Sequence, residues 1–149
     1  MFDNNGEKGY FGFDTTVSSA AADEEDYLIP GAKVLVVDDS WTDLTLIATP
    51  LRESGFEVIT AVDGDEAIEK VLTEQPQCVV LDVILPRQNG FQLCRKIKHM
   101  QQSRHIPIIL LSSKNTPLDK RWGLQQGADL YLTKPFSREE LVASVRRLV

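Results

Sequence analysis

The chain has 149 residues, 42% of them apolar, and a formal net charge of −6 at pH 7. That is material for one core of ordinary size, and no apolar run approaches the roughly 20 residues needed to cross a bilayer. The opening MFDNNGEKGYFGF lacks the basic head and apolar centre of a secretory leader, so a cytoplasmic protein with no membrane insertion is expected.

Residues 1–32 hold seven acids (Asp3, Glu7, Asp14, Asp23, Glu24, Glu25, Asp26) against Lys8 alone, which accounts for the whole net charge. They show no periodicity and read as an acidic, disordered N-terminal extension, because they bury too little apolar surface to offset the entropy of ordering. Phe2, Tyr10, Phe11 and Phe13 are an unusual concentration of aromatics for a solvated segment. The remaining domain, 33–149, is neutral. The absence of a basic stripe argues against nucleic acid as a partner. Cys78 and Cys94 are far apart in apolar patterns, with no CxxC or Cys/His cluster, so packed, reduced thiols are expected rather than a zinc site.

From Lys33 the pattern becomes regular. The run KVLVV (33–37) reads as a strand, followed by a helix over 42–54 that contains Pro50. That proline removes a bond to the Leu46 carbonyl and is expected to kink or shorten the helix. FEVIT (56–60) alternates as an edge strand does, and leads to a helix over 64–75 with Ala67, Ile68, Val71 and Leu72 on one stripe. QCVVLD (77–82) precedes a helix over 88–101, and IPIILLS (106–112) a helix over 116–126 with Thr116 as N-cap and Pro117 at its first position. DLYLT (129–133) precedes a last helix over 137–148, capped by Ser137. Gly55 and Gly127 stand where helices end, as a left-handed residue does. The first, third and fourth runs are apolar almost throughout, as strands covered on both faces are. Five βα repeats with right-handed crossovers predict one α/β domain: a five-stranded parallel doubly wound sheet, order 2-1-3-4-5, flavodoxin-like, with five helices.

Five polar residues sit at the ends of these strands: Asp38 and Asp39 after the first, Asp82 at the third, Ser112 at the fourth and Lys134 after the fifth. Ligands of such sheets bind beyond the strands' carboxyl ends where the strand order reverses, here between strands one and three. Two carboxylates brought to about 4 Å repel by on the order of 4 kcal/mol at an effective dielectric near 20. Three together require a cation or raised pKa values. Hard oxygen ligands suit Mg²⁺.

VVDDS, LDVILPRQNG, IILLSSK and YLTKPF occur in this order, and with these motifs residues 33–149 resemble the CheY-like receiver domain of two-component response regulators. The resemblance implies a phosphorylation-activated signalling switch rather than an enzyme. Asp82 would accept a phosphoryl group from a sensor histidine kinase or a phosphotransfer domain. Asp39 would be the main Mg²⁺ ligand, with Asp38 acting directly or through water and the Ile84 carbonyl completing the protein's share. Lys134 would pair with phosphoryl oxygens, and the Lys134–Pro135 bond would be cis. Ser112 and Tyr131 would form the switch. Ile84 and Lys114 would tune dephosphorylation, an apolar Ile84 being unable to orient the attacking water. No residues follow the fifth helix, so output is expected through a face of helix four, strand five and helix five docking a downstream protein. The stretch KNTPLDKRWGLQQGADLYLTKPF further resembles stand-alone receivers of pilus twitching and phototactic motility.

Rival classes fit less well. A haloacid-dehalogenase-type phosphatase needs a second acid two residues after its nucleophile, where Ile84 stands. A flavodoxin-like electron carrier needs a Gly- and hydroxyl-rich loop after strand one, where DDSWTDL would repel a phosphate. An unphosphorylated adaptor that kept the fold is the remaining alternative.

Overall fold

The computed structural model describes residues 31–149, so the expectations for residues 1–30 lie outside the described residues. In chain order the elements are β1 Lys33–Val37, α1 Trp41–Glu53, β2 Glu57–Ala61, α2 Gly64–Glu74, β3 Cys78–Asp82, α3 Gly90–His99, β4 Ile108–Ser112, α4 Pro117–Gln125, β5 Leu130–Thr133 and α5 Arg138–Leu148. Every strand pair is parallel and the order is β2-β1-β3-β4-β5. This is the expected doubly wound sheet.

Burial follows from that order. CVVLD of β3 and IILLS of β4 are buried at every position, as strands covered on both faces must be. The edges differ: β2 alternates in part, and β5 is half-buried throughout. Leu35, Val37, Val79, Leu81, Ile108 and Leu110 point to one face and form a cluster with Ala67 and Val71 of α2 and Leu93, Cys94 and Ile97 of α3. Val34, Val36, Val80, Ile109 and Leu111 point to the other by strand alternation. On that side α1 packs on α5, with Leu44, Ile47, Leu51, Leu141 and Val145 buried. Each such aliphatic side chain contributes about 1.5–3 kcal/mol when fully buried. Both cysteines are buried and free, and burial pushes each thiol up to about 12, so both stay protonated.

Caps set the helix starts. Ser40, Asp63, Asn89, Thr116 and Ser137 each accept a bond from the backbone N–H three residues on. Because Asn89 caps α3 reciprocally with Gln92, the helix begins at Gly90 rather than at 88, and it stops at His99 where Met100 turns extended. The helix containing Pro50 is not shortened: α1 runs on to Glu53, with the proline inside it. Gly55 and Gly127 have φ of +99° and +104°, as their places at helix ends require.

Candidate functional site

Register brings the polar strand ends level. Val37 pairs with Leu81, Asp82 with Leu111, and Ser112 with Thr133. Asp38 and Lys134 each continue their strand by one backbone bond, Asp38 N–H to the Ala61 carbonyl and Lys134 N–H to the Ser112 carbonyl. The five predicted residues therefore lie along one edge, and the peptide between Lys134 and Pro135 is cis.

Lys134 is the hub. Its Nζ lies 3.5 Å from Asp82 Oδ2, 3.8 Å from Asp38 Oδ2 and 3.8 Å from Asp43 Oδ2. Backbone N–H groups orient the other carboxylate oxygens: Ser40 donates to Asp38 Oδ1 at 3.0 Å and Ile84 to Asp82 Oδ1 at 3.2 Å. Asp38 is wholly buried and its Oδ2 has no hydrogen-bond partner. Burial pushes its carboxyl up to about 7. The Asp82 charge pushes the same way, while the Ser40 N–H and Lys134 oppose.

Among the described residues, Asp38, Asp43 and Asp82 are the carboxylates whose oxygens lie within 4.8 Å of one another. That donor set, with a buried oxygen lacking a partner, fits a hard divalent cation. Asp39 is exposed and outside this cluster. Ile84, 58% exposed, stands at the rim and lines a recess with Lys114, Leu85, Asn89 and Phe91.

Backbone geometry holds the β3–α3 loop close. An added Cβ at Gly90 would lie 2.3 Å from the Asp82 carbonyl oxygen, so the chain passes this strand end only without a side chain. Arg87, at φ +64°, reaches Asp63 and Asp65 at the start of α2 at 3.7 and 3.8 Å. Ser112, also buried, accepts from the Lys114 N–H at 3.0 Å. The Lys114 carbonyl in turn accepts from the Tyr131 hydroxyl at 2.7 Å. The Tyr131 ring is partly buried against the core cluster, beside Gly123.

Asp43 escaped the sequence reading. It lies in DDSWTDL three residues after Ser40, whose side chain accepts from its N–H at 3.3 Å. An acid in the first turn after a strand-end cap is turned back towards the strand ends, and that spacing was the available signal. Arg87 had no such signal, since nothing in LPRQNG marks a left-handed arginine.

A parallel five-stranded sheet with acids at its switch point and a lysine from the last strand defines a class of phospho-signalling domains. Residues 34–146 match the response regulator receiver domain, and the chain belongs to that family. It is 45% identical over 117 residues to the alkaline phosphatase synthesis transcriptional regulatory protein PhoP of Bacillus subtilis, covering 78% of this chain and 48% of that protein. The chain thus spans about half the length of that relative. It is 42% identical over 116 residues to Protein PilG of Pseudomonas aeruginosa, covering 78% and 86% of the two chains. Among solved structures, the chemotaxis response regulator CheY4 of Vibrio cholerae matches with a TM-score of 0.75 and 34% identity over 80% of this chain and 99% of that one. The receiver domain of the sensor histidine kinase PA1611 of Pseudomonas aeruginosa, with a magnesium ion coordinated in its active-site cleft, matches with a TM-score of 0.73 and 31% identity, covering 79% and 97%. The general function of the family is phosphorylation-based signalling. Among the described residues no helix is long and apolar enough to cross a membrane.

Proposed function

We propose that this protein is a phosphorylation-activated response regulator in which Asp82 accepts a phosphoryl group from the phosphohistidine of a sensor kinase or phosphotransfer domain in the cytoplasm. The observation that carries this reading is the placement of the Lys134 ammonium 3.5 Å from Asp82 Oδ2, beside a buried Asp38 oxygen with no partner. The Asp82 carboxylate attacks phosphorus, and the bond from phosphorus to the donor's imidazole nitrogen breaks as the aspartyl bond forms. Lys134 is placed to leave the carboxylate and pair with the transferred oxygens, where a fixed ammonium stabilises developing charge. Asp38, Asp39, Asp82 and the Ile84 carbonyl are the groups proposed to hold Mg²⁺, which supplies charge neutralisation on the phosphoryl oxygens when bound.

Ser112 keeps its hydroxyl proton while its oxygen accepts from Lys114, so it is able to donate to a phosphoryl oxygen. A shift of Ser112 is passed through Lys114 to Tyr131, and from there to the face of α4, β5 and α5. Leu118 and Trp122, four residues apart on α4, are 70% and 50% exposed, a pair suited to docking a downstream protein. Ile84 and Lys114 line one recess beside the β3 end, which supports a role for the pair in setting how long the phosphoryl group survives. A role in taxis or pilus motility is supported by the likeness to the Vibrio chemotaxis regulator and by the LQQGADLYLTKPF stretch.

Incubation with acetyl phosphate and Mg²⁺, followed by intact-mass measurement, tests the reading. One added phosphoryl group is expected in the wild type and none in Asp82→Asn. No gain with any phosphodonor would favour the adaptor reading, and turnover of a phosphate ester would favour the phosphatase.

A further inference from the structure

Asp43 lies outside the motif that carries the family resemblance, yet the structure seats it in the site. One of its oxygens is within 4.8 Å of those of Asp38 and Asp82, and its Oδ2 is 3.8 Å from Lys134 Nζ. A second, independent observation points the same way. Asp38 Oδ2, with no exposed surface and no hydrogen-bond partner, faces the same ammonium at 3.8 Å. One lysine thus serves three carboxylates, and two negative charges remain without a counterion when all three ionise. The side chains differ in access: that of Asp38 is closed to solvent, that of Asp82 is 9% exposed, and that of Asp43 is 42% exposed. Asp43 is therefore the member of the cluster that an arriving cation meets first.

We infer that Asp43 is an additional acidic member of the divalent-cation site, holding the ion directly or through its bound water and sharing Lys134 until a phosphoryl group claims it. The inference rests on the receiver reading above and adds to it a residue that VVDD does not contain. A carboxylate within about 5 Å of a dication, partly screened by water, is worth about a factor of ten in affinity.

Calorimetric titration of the full chain with MgCl₂, with no phosphodonor present, tests this. Asp43→Asn is expected to weaken Mg²⁺ binding about tenfold, and Asp43→Ser, which keeps a small polar group in the first turn of α1, is expected to weaken it equally. Glu69→Gln, which removes one negative charge from an exposed position on α2, should leave the Kd at its wild-type value. Unchanged or tighter Mg²⁺ binding in both Asp43 variants overturns the inference while leaving the receiver reading intact. Equal weakening in Glu69→Gln also overturns it, by assigning the effect to net charge. A wild type that binds no Mg²⁺ overturns the cation site itself, and this inference with it.

Discussion

Asp38 has an ionisation that works against its own burial. Its carboxyl is pushed up to about 7, first by burial and then by the Asp82 charge, whereas an unfolded Asp titrates near 3.9. Between those values the metal-free native state holds a proton that the unfolded state has lost. Stability from this group is therefore full below about pH 4 and falls as pH rises to about 7. Thermal unfolding in EDTA should give a lower Tm at pH 8 than at pH 5.5, and Asp38→Asn should flatten that slope. Mg²⁺ should restore much of the loss at pH 8, because it stabilises the ionised form. A slope unchanged by Asp38→Asn would remove Asp38 as its source. Five strand-end residues were readable from the chain because each ends an apolar run. Asp43 was not, because its place depends on a helical turn folding back rather than on a strand end.

At the scale of elements, α4 meets β5 at a glycine. An added Cβ at Gly123 would lie 2.8 Å from Tyr131 Cδ2 and 3.0 Å from Leu110 Cδ1. Alanine in a helix interior normally gains about 1 kcal/mol over glycine, but overpacking costs about 1–3 kcal/mol. The clash should win, so Gly123→Ala should lower stability to urea by about 1 kcal/mol. It should also push the Tyr131 ring off the Lys114 carbonyl, seen as altered ring and hydroxyl signals of Tyr131 by NMR. A variant more stable than wild type with an unmoved ring would contradict this. Helix starts were legible from Thr116-Pro117 and Ser137, since caps are local chemistry. Pro50 lies inside α1 without ending it, because proline propensity is local while α1 is held by packing on the sheet and α5. The left-handed Gln75 at the end of α2 was missed, because such a residue is most often glycine.

The whole domain depends on contacts between distant parts of the chain, since every strand pair is parallel and each needs a crossover. Leu110 lies in β4, between β3 and β5, wholly buried and part of the main cluster. Leu110→Ala should cost about 2–5 kcal/mol in urea unfolding, with loss of cooperativity only if the domain is not one folding unit. Which strands lie inside the sheet was legible because three runs are apolar on both faces and FEVIT is not. Sequence periodicity says nothing, however, about which rotamer Tyr131 takes. The bonds that Lys114 receives and gives, from Tyr131 to its carbonyl and from its N–H to Ser112, carry a consequence in the opposite direction from signalling. Linkage between two sites is reciprocal. If charge at Asp82 draws Ser112 inward and so biases the ring, then a partner that grips the ring from outside must favour charge at Asp82 by the same factor. On the proposed function, a downstream target would then be a thermodynamic ally of the kinase, its grip on the ring favouring the charged state of Asp82.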